Sequence, residues 1–302
     1  GMTVNFPQSN LAKELAALMV NLSLHPRNTE TLLQNKGLSH LMDRLANTRD
    51  PLLAKIIRNI SQLTFASQQE SENPELQYKY RGVWSPHLKA LLSLSQSDDQ
   101  DLLVEVFGIL ANLTSLDLPS SHSWAKLFKD SKLMSLFSKL LVPGMCQNDM
   151  LLEIVMLIST SLTEDKTCEM LASSNIIQQL YQLWKEKADD VELLLQLIFC
   201  FYRLFQNAAS REEAMYGTQV VMDIIACLSH KNAAVRKMAD ITTELVLECD
   251  RQDNGELGPL GISIRKNRFE SYNRNYLEAT MLYSPDTLYD ERESERERND
   301  HY

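Results

Sequence analysis

The sequence is poor in the residues that interrupt helices and in the clusters that build metal sites. Only nine glycines and nine prolines occur among its 302 residues, which argues against a β-sandwich or a low-complexity chain. No apolar stretch reaches the roughly 20 residues that span a bilayer, so no membrane insertion is expected. The six histidines are scattered, and only His230 has a cysteine three or four residues away, Cys227, which is two of the four ligands of a structural zinc site. We therefore expect no metal site.

Signals of catalysis are equally scarce. There is no glycine-rich phosphate loop and no H-E-x-x-H helix, and the serines around His122 have no partner residues for hydrolysis. The five cysteines stand singly without C-x-x-C spacing, as reduced, buried thiols of a cytosolic protein would. A net charge of −10 argues against nucleic acid and fits a partner with basic segments. We expect a protein with no enzymatic activity, no catalytic residues and no cofactor.

What the sequence does contain is a repeat of apolar helical runs. Each run opens with an Asp or Asn, and the successive starts are 42 or 49 residues apart, at Asp50, Asp99, Asn148, Asp190 and Asn232. A period of about 40–47 residues without strand-like alternation is typical of armadillo and HEAT solenoids. The prediction is an all-α, right-handed armadillo-repeat superhelix of about five units with a C-terminal capping helix. Such solenoids present long surfaces to other proteins.

The same pattern predicts the domain organisation. Gly1 and Met2 resemble an expression scar, and the native protein is expected to extend upstream. A polar insertion interrupts the repeats, and glycines mark a linker after the last one. The predicted parts are a lead at 1–9, repeats at 10–249 with the insertion near 66–83, a linker at 250–263, a capping helix at 264–282 and a charged, flexible tail at 283–302.

A row of polar residues recurs near the ends of the third helices of the repeats. Side-chain amides both donate and accept hydrogen bonds, so such a row suits the backbone of an extended peptide. The positions are alternatively ordinary polar residues at helix ends, more so for Thr160 and Glu244, which lack an amide. Asn112 is expected to face solvent, so that its replacement by Ala weakens binding but not stability. The predicted partner-binding groove consists of Asn21, Gln62, Asn112, Thr160, Tyr202, Arg203 and Glu244.

Two further patterns concern the helices at the C-terminal side. Phe199, Phe201, Phe205 and Trp184 are expected in the core, because aromatic stripes fill gaps between helices. The last helix is expected to fold onto the helix of residues 232–249 and cover its apolar face. The side chains predicted to make this cap are Phe269, Tyr272, Tyr276 and Leu277.

Three Asn-x-Ser/Thr tripeptides match the pattern for N-glycosylation. They begin at Asn21, Asn59 and Asn112. The chain has no recognisable secretion signal, so we interpret them as helix residues that match the pattern by coincidence.

Several segments resemble the kinesin-associated protein family, over roughly residues 100–280. They are LLVPG (140–144), DMLLEIV (149–155), HKNAAVRK (230–237) and IRKNRFESYNRNYLE (264–278), while DLLVEVFGILANLT (101–114) resembles an armadillo third helix. The resemblance implies the non-motor subunit of heterotrimeric kinesin, whose partners are the tails of the motor chains and cargo adaptor proteins. It implies a role in microtubule-based and ciliary transport, and a location in the cytoplasm at the cytoskeleton and cilium.

Two other functions remain open at this point. The first is a different armadillo scaffold, of the adhesion or nuclear-import type, that binds an extended peptide. Import receptors carry a Trp-Asn array on their third helices, whereas Trp84, Trp124 and Trp184 lie outside the predicted third helices. The second is a structural dimer formed by exposed solenoid ends, which the mass in solution would reveal.

Overall fold

Acidic and amide side chains begin most of the long helices, as the repeat pattern predicts. The computed structural model describes residues 12–34, 36–70, 82–114, 123–251 and 256–282. The carboxylate of Asp99 accepts hydrogen bonds from two backbone amides of the first helical turn, at 3.0 and 3.2 Å. Asn232 likewise accepts two backbone amides at the start of a later helix, and Asp190 accepts one. Such side chains satisfy amides that have no partner within the helix and stabilise it by about 1 kcal/mol each.

The described residues form helices of seven to 24 residues. In chain order they are α1 Lys13–Ser23, α2 Pro26–Gln34, α3 Gly37–Thr48, α4 Pro51–Glu70, α5 Leu88–Leu94, α6 Gln100–Leu113, α7 Trp124–Asp130, α8 Leu133–Leu140, α9 Asn148–Ser161, α10 Asp165–Ala172, α11 Ile176–Lys187, α12 Val191–Gln206, α13 Ala208–Tyr216, α14 Val220–Ala226, α15 Ala233–Cys249 and α16 Pro259–Leu282. Short 3-10 turns cover Ser85–His87 and Cys227–Ser229. No strand occurs among these residues, and a single antiparallel bridge joins Arg251 to Leu257.

The chain divides into two compact units, residues 1–218 and 219–302. In the first unit, the long third helices α1, α4, α6, α9 and α12 pack each against the next. The shorter helices form parallel rows, with α7 on α10 and α10 on α13 in one, and α8 on α11 in another. This stacking of three-helix repeats is the predicted armadillo arrangement. It aligns equivalent positions of successive third helices on one surface.

Apolar side chains fill the space between these rows. On α4, Leu53, Ile56 and Ile60 have no exposed surface, and aromatic rings close the gaps further along. Phe137 contacts Phe107 and Phe128 edge-on, with ring centres 5.8 and 6.2 Å apart. These three rings come from α8, α6 and α7, so one cluster ties together all three rows. Edge-on pairs of this kind are favourable beyond the area that they bury.

The second unit contains α14, α15 and the long C-terminal helix α16, which packs on both. Asp250 connects α15 to α16, because its carboxylate accepts a 2.7 Å hydrogen bond from the amide of Gly261. Gly258 lies so close to this carboxylate that a Cβ atom there would be 2.6 Å from its oxygens. Ile264 is fully buried and anchors the first turns of the helix.

Two predicted boundaries were wrong. Helix α4 continues to Glu70, through the first residues of the predicted insertion at 66–83, because nothing before Glu70 breaks a helix. Helix α16 begins at Pro259 rather than at residue 264, since proline is tolerated in a first helical turn. The rest of the insertion at 71–81, the lead at 1–9 and the tail at 283–302 lie outside the described residues.

The predicted face of the capping helix was also wrong. Phe269, Tyr272 and Tyr276 are 69%, 63% and 69% exposed. Helix α16 does lie on α15, but Ile264 and Arg268 make the contact instead. Helical spacing groups residues on one face and does not decide which face is covered. The side chain of Leu277 lies outside the described residues.

Candidate partner-binding face

The third helices of the first unit carry an acidic cleft near their N-terminal ends. Its residues from α4, α6 and α9 and the cap before α4 enclose about 510 Å³. Among the described residues that line it, the charged ones are Asp50, Asp101, Glu105, Asp149 and Lys55. We use the name acidic cleft for these five residues. A surface of four carboxylates and one ammonium attracts positively charged partners and repels negatively charged ones.

Beyond the cleft, one arginine joins three neighbouring helices. The guanidinium of Arg58 on α4 reaches Glu105 on α6, at 3.4 Å, and forms a close ion pair with Glu153 on α9. To reach α9 it must cross α6 at Gly108. A Cβ atom on Gly108 would lie 2.4 Å from Nε of Arg58, closer than non-bonded atoms approach. The glycine in the middle of α6 therefore makes room for the ion pair.

Glu153 is the most deeply buried member of this network. Its side chain is 6% exposed, and its Oε2 atom has no hydrogen-bond partner in the part of the chain that the structure describes. Burial raises the pKa of the Glu153 carboxyl above its ordinary value, and the nearby Arg58 opposes this shift. The charges of Glu105 and Asp149 raise the pKa further. The ionised form of Glu153 thus depends on Arg58.

Asparagines in the middle of α4 and near the C-terminal end of α6 link neighbouring third helices. The amide nitrogen of Asn112 donates a 2.9 Å hydrogen bond to the hydroxyl of Ser61. One repeat earlier, Asn59 donates a 2.9 Å bond to Ser23 and a 3.3 Å bond to the carbonyl of Val20. The expectation that the Asn112 side chain only faces solvent was wrong. It is half-buried and holds α6 to α4.

This geometry identifies Asn59, not Gln62, as the residue on α4 equivalent to Asn112. Gln62 lies one helical turn further on and is exposed. The sequence contained a signal for the correct alignment, namely the Asn-x-Ser/Thr tripeptides that begin at Asn21, Asn59 and Asn112. The hydroxyl in each tripeptide turns back to a carbonyl three residues earlier on its own helix. The hydroxyls of Ser23 and Ser61 also accept a hydrogen bond from the side-chain amide of the asparagine in the following repeat.

The other predicted groove residues are placed differently from one another. Asn21 is exposed on α1, and Thr160 donates its hydroxyl to the carbonyl of Met156 on its own helix. Arg203 reaches back across the stack, as Asn112 does, and donates a 3.2 Å hydrogen bond to the carbonyl of Leu162. Glu244 belongs to the second unit. The structure therefore brings Asn21, Gln62, Asn112, Thr160 and Arg203 onto successive third helices of one unit, without Glu244.

The aromatic residues of α12 divide between core and surface. Phe201 and Phe205 are fully buried, and Trp184 of α11 lies edge-on to Phe201 at 6.2 Å. Phe199 and Tyr202 are half-buried and stack on each other, with ring centres 6.4 Å apart. Phe199 was expected in the core and instead supports Tyr202 near Arg203.

Comparison with known proteins decides the family. The sequence matches the Kinesin-associated protein (KAP) family over residues 1–297. The chain belongs to this family. The match covers nearly the whole chain. It includes the region before residue 100, where the repeat pattern was the only sequence feature consistent with the family.

Solved structures similar to this KAP-family chain include armadillo-repeat proteins. One is a designed armadillo repeat protein in complex with the peptide (KR)4, at 16% identity and a TM-score of 0.59, covering 81% of this chain and 98% of that one. Another designed armadillo repeat protein has 16% identity and a TM-score of 0.60, with the same coverage. An engineered protein reaches a TM-score of 0.65 at 15% identity, covering 87% of this chain and 60% of that one. The all-α armadillo fold is thereby confirmed.

The remaining features of the KAP-family chain are those of a packed scaffold. Trp84, Trp124 and Trp184 are 0–3% exposed and lie in the core, so no tryptophan lines the third helices. No helix among the described residues is long and apolar enough to cross a bilayer. Within the same residues, no three His, Cys, Asp or Glu side chains come together as metal ligands would. Cys168, Cys200 and Cys227 are buried, and none of the five cysteines forms a disulfide.

Proposed function

We propose that this KAP-family chain is the adaptor subunit of heterotrimeric kinesin. It joins the tails of the motor chains to cargo adaptor proteins in microtubule-based transport, including ciliary transport. Its location is then the cytoplasm, at the cytoskeleton and cilium. The observation that carries the proposal is the family match over 297 residues, together with an acidic cleft on aligned third helices.

The acidic cleft suits a lysine- or arginine-containing segment of the motor tails. Exposed ion pairs contribute only about 0.2–1 kcal/mol each, so several must act together. Two exposed carboxylates, on Asp101 and Asp149, lie on two neighbouring helices and can receive successive basic side chains, whereas Glu105 is already paired with Arg58. The complex of a designed armadillo protein with (KR)4 supports this chemistry for the fold.

The polar residues at the C-terminal ends of the helices would contact the backbone of the same segment. A peptide that leaves water must find new partners for its amides and carbonyls. Gln62 and Asn21 are exposed, and Tyr202 and Arg203 are half-buried, so these four are the proposed contacts. Asn112 serves mainly to keep α4 and α6 in the register that the cleft requires. Glu244 is not proposed as a peptide contact, because its carboxylate is paired with Arg268.

Binding of purified motor-tail fragments to the whole chain tests the proposal. The double variant Asp101→Asn and Asp149→Asn removes two negative charges from exposed side chains of the cleft. It should weaken tail binding by about tenfold, which corresponds to about 1.4 kcal/mol. The control double variant Asp130→Asn and Glu169→Gln removes the same charge from exposed positions outside the cleft and should bind normally.

Two outcomes would contradict the proposal. If the motor tails do not bind while the peptide (KR)4 does, the chain is an armadillo scaffold for another basic segment. If the tails bind equally well to both double variants, the binding surface lies outside the acidic cleft.

A further inference from the structure

The second unit carries an uncovered row of apolar side chains along α16. Ile262, Phe269, Tyr272 and Tyr276 are 62–69% exposed. Phe269 and Tyr276 follow Ile262 by seven and fourteen residues, and Tyr272 lies three residues after Phe269. This spacing is that of the a and d positions of a helix that packs against another helix. We call these four residues the α16 seam.

The size of the seam sets it apart from scattered surface residues. At about two-thirds exposure, three aromatic rings and one isoleucine present on the order of 500 Å². That is as large as the largest apolar patch on a typical monomer, and patches of this size commonly mark an interaction site. It is smaller than the roughly 800 Å² that each partner buries in a standard interface. The seam therefore needs additional contacts to hold a partner.

A small basic pocket next to the seam supplies those contacts. Tyr272 lines it together with three cations, on Arg236, Lys237 and Arg268, and one carboxylate, on Asp240, and it encloses about 270 Å³. Such a volume is slightly below that of pockets for small-molecule ligands and accommodates one large side chain. We call it the basic pocket. Tyr272 belongs to both features, so a partner that covers the ring reaches the pocket as well.

The three cations of the basic pocket differ in their hydrogen-bond and ion-pair partners. Arg268 is paired with Asp240 and Glu244, with a distance of 2.6 Å to Asp240. Arg236 donates to the backbone carbonyls of residues 230 and 231. Lys237 is exposed and forms no ion pair with any residue that the structure describes. An anionic side chain is what this ammonium lacks.

Cations also predominate beside the seam, because among the described side chains of α16 Arg265, Lys266 and Arg268 are cationic and Glu270 is the one carboxylate. Arg265 and Lys266 are exposed between Ile262 and Phe269, and no described carboxylate is paired with either. In a chain of net charge −10, this local excess of positive charge selects an acidic partner. It disfavours a second copy of the same helix, which would bring its own Arg265 and Lys266 to the contact.

We propose that the α16 seam and the basic pocket together bind an acidic amphipathic helix of a partner protein. Its apolar side chains cover Phe269, Tyr272 and Tyr276, and one of its carboxylates enters the pocket beside Lys237. The surface is separate from the acidic cleft and takes a partner of the opposite charge. An adaptor with both surfaces can hold two chemically different partners, one basic and one acidic.

A designed helical peptide of about 21 residues tests the proposal, with Leu at the a and d positions and Glu at e and g. Fluorescence anisotropy with the whole chain should show binding that weakens as salt is raised from about 50 to about 500 mM. Tyr272→Ala and Lys237→Glu should each weaken binding about tenfold. The matched control variants are Tyr216→Ala, at another exposed tyrosine, and Lys139→Glu, at an exposed lysine of the first unit, and both should bind normally.

Three results would overturn the proposal. The first is equal binding of the same peptide with Lys at e and g, since the pocket and its borders would then not select charge. The second is unchanged affinity in the Tyr272→Ala and Lys237→Glu variants. The third is a dimer, detected by light scattering, that Tyr272→Ala dissociates, because the seam would then belong to a second copy of the chain.

Discussion

Replacing Gly108 by Ala tests the Arg58 network most sharply, because two opposite effects compete at this position. Alanine favours a helix over glycine by about 1 kcal/mol, so the change should stabilise an ordinary helix. Here the three heavy atoms nearest to the new Cβ all belong to Arg58, at 2.4, 2.6 and 3.0 Å. The guanidinium must move away, and Glu153 loses its partner.

The size of the effect follows from the burial of Glu153. Removing one partner of a buried ion pair costs about 3–5 kcal/mol. The Arg58 side chain is 26% exposed and can turn toward water, so the lower end of this range applies. Subtracting the gain in helix propensity leaves a net loss of about 2 kcal/mol for Gly108→Ala.

The effect of Gly108→Ala on the free energy of unfolding should change sign when the ion pair is absent. In a background of Arg58→Ala with Glu153→Gln, no guanidinium crosses α6 and no buried carboxylate is left unpaired. There Gly108→Ala should stabilise the protein by up to about 1 kcal/mol. Urea unfolding followed by circular dichroism measures both free-energy changes. A loss of equal size in both backgrounds would refute the reasoning, since the clash would then not involve Arg58.

Three further predictions concern single side chains. Asn112→Ala should lower the free energy of unfolding by about 1 kcal/mol, because the hydroxyl of Ser61 loses its donor; an unchanged urea midpoint would contradict this. The raised pKa of Glu153 means that the folded state binds its proton more tightly than the unfolded state does. The stabilisation that this proton provides is complete below the ordinary pKa of 4.5 and is lost as pH rises through the folded-state pKa. Stability should therefore fall less in Glu153→Gln than in the wild type between about pH 4.5 and 7, and parallel pH profiles would oppose the account. Burial raises the pKa of the Cys200 thiol to about 12, so iodoacetamide at about pH 8 should modify it only after unfolding, as mass spectrometry of native and urea-treated chain would reveal.

Much of the fold could be predicted because local chemistry and the repeat agree. Asp99 and Asn232 begin helices for the same reason in the sequence and in the structure, namely that their side chains accept the first free amides. The apolar residues of α4 reveal its buried face by their helical spacing. The start of α16 at Pro259 was missed, because a run of glycines and a proline also reads as a linker.

The candidate site was harder to predict because it depends on contacts between helices. Apolar periodicity identifies the buried face of a helix but fixes the position along the helix only to within about one turn. An error of one turn put Gln62 in place of Asn59. The pairing of Asn59 with Ser23 requires knowledge of which helix lies beside which. The role of Gly108 is likewise invisible in the sequence, since its neighbour Arg58 is 50 residues away. Spacing also could not tell that Phe269 points to solvent, because one spacing describes either face of a helix.

Under the proposed function, the acidic cleft binds the tails of the kinesin motor chains. The most direct measurement is the mass of the purified chain mixed with tail fragments of both motor chains, by size-exclusion chromatography with light scattering. We expect a complex that contains all three components. It should dissociate in the Asp101→Asn, Asp149→Asn variant at concentrations where the Asp130→Asn, Glu169→Gln control remains assembled. A mixture whose components elute separately, or a complex that neither variant affects, would contradict it.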